Sequence, residues 1–311
     1  MKKSEVDVLI VGAGPAGLAA AIAAKQSGFA RVRVLDRERE AGGVPRHSLH
    51  TGYGLRDLHR VMSGPKYAAR YISKALEAGV EISTSTTALD WAGDLALALT
   101  SPMGLEEVSA SQILLATGAR ERGRNARAIA GTRPVGIYTT GSLQQSVYLR
   151  HQEIGTRAVI IGAEHVSFSA VMTLAHAGVQ TVAMLTPEAR HQSYFPLHWG
   201  TALRYRYALR TKTKLLEILG RERVSGVRVA TPSGEEVIEC DTVVFSADWI
   251  PDNELARRGS LQISESTKSP IVNHLYETSR SGVFALGNLL MPIKSADQCA
   301  LEGSSLLSKN W

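Results

Sequence analysis

Val8-Leu9-Ile10-Val11-Gly12-Ala13-Gly14-Pro15-Ala16-Gly17 is the stretch on which the fold turns. Its first four residues are continuously apolar, the pattern of a short parallel strand covered on both faces. The glycines that follow have separate tasks. Gly12 permits a tight turn, Gly14 lets the backbone approach a pyrophosphate, and Gly17 lets a helix pack close to the strand. Small residues from Leu18 to about Lys25 continue as that helix, and Val32-Arg33-Val34-Leu35 forms a second strand ending in Asp36. The helix N-terminus offers N–H donors and partial positive charge to phosphates. Asp36 stands where a carboxylate accepts a bond from an adenosine ribose hydroxyl. The unit is a dinucleotide-binding βαβ, open at this point to either NAD or FAD.

The chain around it has 311 residues, beyond the roughly 250–300 at which single cores stop growing, so two domains are expected. With 44% hydrophobic residues the composition is globular and excludes a disordered tail. Two cysteines, Cys240 and Cys299, are too few for a disulfide framework or for a four-cysteine zinc or iron–sulfur site. They fit a reducing cytoplasm. No His or carboxylate spacing suggests a metal. The net charge of +6 suits an anionic ligand or an acidic partner. Because the basic residues are scattered, it does not point to nucleic acid. The uncharged run from Val8 to Ala24 falls short of the roughly 20 residues of a membrane span. Glu5 and Asp7 stand where a signal peptide would carry positive charge, so the chain reads as soluble, with no transmembrane segment.

Two later segments choose between the nucleotides. Ile113-Leu114-Leu115-Ala116-Thr117-Gly118 is a strand running into a turn, and Val283-Phe284-Ala285-Leu286-Gly287-Asn288 is another, with a helix beginning near Ala296. With the first fingerprint, they resemble the split FAD domain of the glutathione reductase and thioredoxin reductase superfamily. A nearer resemblance runs through Gly42-Gly43-Val44-Pro45-Arg46-His47, His50-Thr51-Gly52-Tyr53-Gly54-Leu55, Thr117-Gly118-Ala119-Arg120-Glu121-Arg122 and Gly131-Thr132-Arg133-Pro134-Val135-Gly136. This set is similar to the FAD subunits of multi-component bacterial dehydrogenases: glycerol-3-phosphate-dehydrogenase-associated flavoproteins, proline dehydrogenase α subunits, and opine oxidase and hydrogen cyanide synthase subunits. The resemblance implies an α/β chain with two Rossmann-like dinucleotide-binding domains, the second inserted into the first. Residues 1–128 and 274–311 would form the discontinuous FAD domain, and 129–273 the inserted NAD(P)-binding-like domain. It implies FAD against Gly12, Gly14, Pro15, Ala16, Gly17, Asp36, Arg37, Gly43, Arg46, Thr117, Gly118, Gly287, Asn288 and Ala296. Where the superfamily has an aspartate that bonds the flavin ribitol, this sequence has Asn288.

The pattern restarts with the strand Ala158-Val159-Ile160-Ile161, a helix from about Val166 to Ala177, and the strand Thr181-Val182-Ala183-Met184-Leu185. The turn reads Gly162-Ala163-Glu164-His165-Val166-Ser167, with Glu164 and Ser167 at the second and third glycine positions. Asp248 likewise stands where glycine is usual in the later strand-and-turn. Poor NAD(P)H binding is therefore expected. Arg190 and His191 are placed either to meet a 2′-phosphate or to form a solvated basic loop.

The catalytic candidates each have a plainer alternative. His47 and His50 are read as proton relays or as loop histidines making ordinary hydrogen bonds, and Cys299 as a redox thiol or a packed one. Tyr194, Phe195, His198, Trp199, Tyr205 and Tyr207, mixed with Arg204, Arg206 and Arg210, are read as a partner surface or a half-buried helix face. The expected function is that of a FAD-dependent oxidoreductase working inside a larger complex. Its expected partners are a small cysteine-rich redox protein and a substrate-oxidising dehydrogenase subunit. A self-contained NAD(P)H-dependent flavin reductase and a noncatalytic FAD-fold scaffold are the alternatives.

Overall fold

The first apolar run extends backwards into a ten-residue strand, β1 (Lys2–Val11). A computed structural model describes residues 2–193 and 195–310, with side chains other than those of 195–198 and 307–310. Val8 and Ile10 point into one core and Leu9 into another on the opposite face, and this two-sided burial is why the run does not alternate. Helix α1 (Pro15–Gln26) follows, and its alanines sit in the first core. Strand β2 (Val32–Leu35) returns parallel to β1.

A hairpin of β3 (Thr51–Tyr53) and β4 (Met62–Ser63) comes next, then helix α2 (Gly64–Glu77). Strands β5 (Glu81–Ser83), β6 (Thr87–Gly93), β7 (Ala96–Ser101) and β8 (Gly104–Leu115) complete the N-terminal part. The sheet runs β5-β2-β1-β8-β7-β6, and Val283–Ala285 also pairs in parallel with the end of β8.

Contacts divide the chain into two compact units, residues 1–120 with 250–311, and residues 121–249. These units part at 120/121 and 249/250, where 128/129 and 273/274 were the expected boundaries. Residues 121–128 stay with the second unit because the Arg127 guanidinium donates to the carbonyls of Ser246 and Ala247 at 2.9 and 2.7 Å. Residues 250–273 join the first because Leu255, Ala256 and Leu261 share a core with Leu97 and Val108. The Trp91 indole N–H also donates to the Leu255 carbonyl at 2.8 Å.

The second unit has its own five-stranded parallel sheet, ordered 137–139, 242–245, 157–161, 180–185, 208–210. Helix His165–His176 packs on it. A four-stranded sheet (130–131, 214–220, 224–231, 234–238) forms a further layer.

Within the first unit, Arg33 on β2 makes a two-pronged pair with Glu106 on β8, both contacts at 3.1 Å, and both side chains are nearly buried. Glu106→Ala leaves the guanidinium short of its strongest acceptor and is expected to cost about 2 kcal/mol. Hydrogen bonds from Arg33 hold the Glu106 carboxyl below its usual value. Its contribution is complete above the unfolded value and is lost as pH falls through the lower folded one. Thermal melts of wild type and variant should therefore differ most near neutrality and converge in acid.

Candidate functional site

At the C-terminal end of β1 the backbone takes the shape the fingerprint requires. Gly12 has φ +111°, and a Cβ there would lie 2.3 Å from the Ala116 carbonyl oxygen. At Gly17 it would lie 1.9 Å from the Gly12 oxygen, so α1 meets the strand turn only without a side chain. Gly14 differs: it is extended, with φ −80°, and no atom lies within 4 Å of its would-be Cβ. Nothing within the protein demands glycine there. The space is open where α1 begins, on the side a phosphate would approach.

Other segments converge on this turn. The Gly42 N–H donates to the Ala13 carbonyl at 2.8 Å, and a Cβ on Gly43 would lie 2.9 Å from Gly14 Cα. One on Gly287, at φ +71°, would lie 2.8 Å from Ala16 Cβ. The two carboxylate oxygens of Asp36 accept from Glu38 N–H at 2.9 Å and Ala13 N–H at 3.1 Å, and burial holds this acid above the usual range. Each oxygen keeps a lone pair for a hydroxyl. The Thr117 hydroxyl donates to the Asp252 carbonyl at 2.7 Å, and Arg37 pairs with the Asp252 carboxylate at 3.1 Å. Gly118, at φ +77°, faces open space.

Arg46 pairs with Glu40 at 3.1 Å, yet its Nε is buried without a partner among the described residues. That orphaned donor, the open approaches at Gly14 and Gly118, and the half-committed Asp36 fit an elongated anionic cofactor such as FAD. Asn288 is engaged locally: its Oδ1 accepts from Lys294 N–H at 3.0 Å and its amide donates to the Lys294 carbonyl at 3.2 Å. Glu302 accepts from Gly287 N–H and from Lys294 Nζ, each at 2.8 Å, and so fixes the turn before the helix Ala296–Asn310.

The catalytic candidates lie in buried or half-buried surroundings. His47 is buried in a single 3-10 turn, Val44–His47. The His50 ring packs on Tyr53 with centroids 5.3 Å apart, and burial lowers its pKa below the usual histidine value. Burial pushes the Cys299 and Cys240 thiols each up to about 12, so neither supplies a thiolate near neutrality. Both are expected to resist iodoacetamide in the native protein and to react on unfolding; prompt native labelling at Cys299 would restore a redox role.

Two carboxylates escaped the sequence reading. Asp297, buried in the first turn of the last helix, accepts the N–H groups of Gly54 and Arg56, both at 2.9 Å. Asp57 accepts the hydroxyls of Tyr67 and Tyr71 at 2.6 and 2.7 Å. An acidic residue one position inside a helix start was the available signal for the first. None marked the second.

The second fingerprint keeps its shape and changes its chemistry. Gly162 has φ +126°, and a Cβ would meet the Ser246 carbonyl oxygen at 2.7 Å. The buried Ser167 hydroxyl accepts from Glu164 N–H at 3.1 Å and bonds the Ser246 hydroxyl at 3.0 Å. One helix-start donor that a phosphate would use is thereby taken. Ala247 and Asp248 hold φ +67° and +58°; aspartate tolerates this left-handed region where glycine is usual.

A cleft of about 950 Å³ opens here, lined by Arg127, Glu164, Arg190, His191 and Asp248 among others. Glu164 faces it half-buried. Burial raises its pKa, opposed by a hydrogen bond with Trp249 and by the Arg127 charge, with Asp248 adding to the rise. The sequence reading missed Arg127, which also lies over the Phe245 ring and 3.8 Å from the Asp248 carboxylate.

Of the aromatic cluster, Tyr194 and the side chains of Phe195 and His198 lie outside the described residues. Tyr207 is buried with its hydroxyl 2.9 Å from that of Thr201, while Trp199 is exposed. Among the described residues no group of three or more His, Cys, Asp or Glu is placed to hold a metal, and no helix is long and apolar enough to cross a membrane.

Residues 6–303 match the model of the Pyridine nucleotide-disulphide oxidoreductase family. The chain belongs to that family. Like the family's flavoproteins it is a FAD-dependent oxidoreductase. Within the family it is similar to an opine oxidase subunit of Agrobacterium tumefaciens (strain Ach5), 25% identical across 91% of this chain and 61% of that one. It thus spans about three fifths of the length of that relative. The alpha subunit of sarcosine oxidase from Corynebacterium sp. (strain P-1) is 35% identical over 37% of this chain and 13% of its own. In fold it resembles T. acidophilum thioredoxin reductase, at 21% identity, TM-score 0.80 and 98% of both chains. It also resembles P. horikoshii L-proline dehydrogenase, at 18% identity and TM-score 0.72, over 99% of this chain and 55% of that one.

Proposed function

We propose that this chain is the flavin-bearing electron-transfer subunit of a multi-component dehydrogenase of the glycerol-3-phosphate or amino-acid and opine type. The observation that carries the reading is Glu164, a half-buried carboxylate at the fingerprint turn where a pyridine nucleotide would enter. Electrons then arrive from a substrate-oxidising partner, in keeping with relatives that are named as oxidase subunits.

In this reading FAD supplies two-electron acceptance and one-electron release. The open approach at Gly14 and the start of α1 receive the pyrophosphate, and Asp36 orients the ribose. Arg46 offers its free Nε to the cofactor, while Glu302 and Lys294 hold the Gly287-Asn288 turn. The un-ionised Cys299 leaves thiol chemistry to the partner. A small cysteine-rich protein as the next carrier belongs to the same proposal.

The test is reconstitution. Flavin bleaching by an oxidisable amino acid, opine or glycerol 3-phosphate only when the substrate-oxidising subunit is present supports the assignment. Full turnover by the lone chain on such a substrate with oxygen contradicts it.

A further inference from the structure

The stretch between Glu40 and Glu77 contains six Arg and Lys residues and one acid, Asp57. Its centre is the hairpin loop 54–61 joining β3 to β4, and the loop is anchored from several directions. Gly54 and Arg56 N–H groups donate to buried Asp297, Asp57 turns inward onto the hydroxyls of Tyr67 and Tyr71, and Leu58 packs on the core. The N–H groups of Leu58 and Arg60 both donate back to the Gly54 carbonyl.

A loop so firmly held would be expected to tuck its apolar residues away, yet Leu55 and Val61 are 58% and 62% exposed. Arg56 and Arg60 are exposed beside them. Every acid bonded to the loop, Asp57 and Asp297, faces inward. The outer surface is therefore cationic and apolar with no exposed acid within the loop. Met291 and Ile293, also exposed, lie on the turn leading into the helix that carries Asp297.

We propose that loop 54–61 is the docking surface for the substrate-oxidising partner subunit, which presents an acidic rim around an apolar patch. This rests on the function proposed above and adds which face the partner takes. The loop's exposed charge is of one sign: cations with no exposed acid among them steer an acidic surface and repel a basic one. Leu55 and Val61 supply the apolar centre that such a rim surrounds. The anchoring means that little ordering entropy is lost on binding. The loop is bonded to Asp297, next in the chain to Ala296, one of the residues proposed to hold the cofactor.

The test co-expresses the full chain with the products of the reading frames that adjoin its own and follows the complex by size-exclusion chromatography and titration. Two variants separate charge from apolar contact: Arg56→Glu with Arg60→Glu, and Leu55→Ser with Val61→Ser. All four side chains are at the surface, so flavin content and melting temperature should hold. Binding should weaken on the order of a hundredfold in the charge variant at low salt, and the apolar variant should stay weakened at high salt.

If wild type and both variants bind alike, the surface is wrong and the subunit reading stands. If the wild type forms no complex, the subunit reading fails and the docking surface with it. Sedimentation of the wild type, but not the charge variant, with vesicles of equal parts phosphatidylcholine and phosphatidylglycerol would make this a lipid-binding face and overturn the proposal.

Discussion

Gly14→Val is expected to give a folded protein that no longer holds FAD. The two outcomes separate because the fingerprint glycines are needed for different reasons. A Cβ at Gly12 or Gly17 runs into backbone oxygen at 2.3 or 1.9 Å, so substitution there disturbs the fold itself. At Gly14 the backbone is extended and no protein atom lies within 4 Å of the added carbon. The valine therefore fits the protein and projects into the path of the pyrophosphate. Loss of close backbone contact and of helix-start hydrogen bonds to the phosphates is put at about 3 kcal/mol or more, at least on the order of a hundredfold in FAD affinity. The melting temperature of the cofactor-free variant should match that of cofactor-free wild type, while FAD titration followed by flavin fluorescence shows the loss. A Gly14→Val protein that binds FAD as wild type does would remove the assignment of this turn.

The second large effect concerns the inserted unit. A carboxylate about 5 Å from a phosphate charge, at an effective dielectric near 20, costs roughly 3 kcal/mol, or on the order of a hundredfold in affinity. Glu164 sits where that cost applies, and its environment sets how much of it is felt. Arg127 draws the carboxylate toward ionisation, while burial and Asp248 favour the neutral acid.

Glu164→Gly with Ser167→Gly is expected to recover measurable NADH or NADPH binding by calorimetry, by removing the charge and freeing the donor now given to Ser167. In the wild type the sign with pH follows from the raised pKa. As pH falls toward it, Glu164 takes up a proton, the repulsion fades and nucleotide affinity rises; at higher pH it stays low. A double variant that binds no better than wild type would mean that the cleft excludes the nucleotide for another reason, with Asp248 and Arg127 next in line.

The first βαβ unit was legible because each of its constraints is local. A strand buried on both faces leaves a continuous apolar run, and a turn with positive φ leaves a glycine. The altered second fingerprint was legible for the same reason: Glu164 and Ser167 stand at positions whose spacing is fixed by the turn. What stayed hidden depends on long-range packing. Residues 250–273 pack with the first unit, where the sequence placed them in the second, because Leu255 and Leu261 share a core with residues of β1, β2, β7 and β8, and nothing in their neighbourhood signals which sheet they serve.

Arg127 looked like one of many scattered basic residues, and only the approach of the Ser246 and Ala247 carbonyls gives it a role. Asp57 carries no local mark of its role and Asp297 only its place at a helix start, because their partners lie on other elements. His50 and Cys299 show the converse. Their residue types suggested chemistry, and burial, which the sequence does not display, lowers the pKa of the imidazole and raises that of the thiol.

The central claim is that this flavoprotein receives its electrons from a partner and not from a pyridine nucleotide. It is tested most directly by loading the purified chain with FAD under anaerobic conditions and following the visible flavin band. The account predicts that micromolar NADH or NADPH leaves the band in place while dithionite bleaches it, which shows the flavin itself to be competent. Rapid bleaching by either nucleotide would contradict the account and make the chain a self-contained flavin reductase.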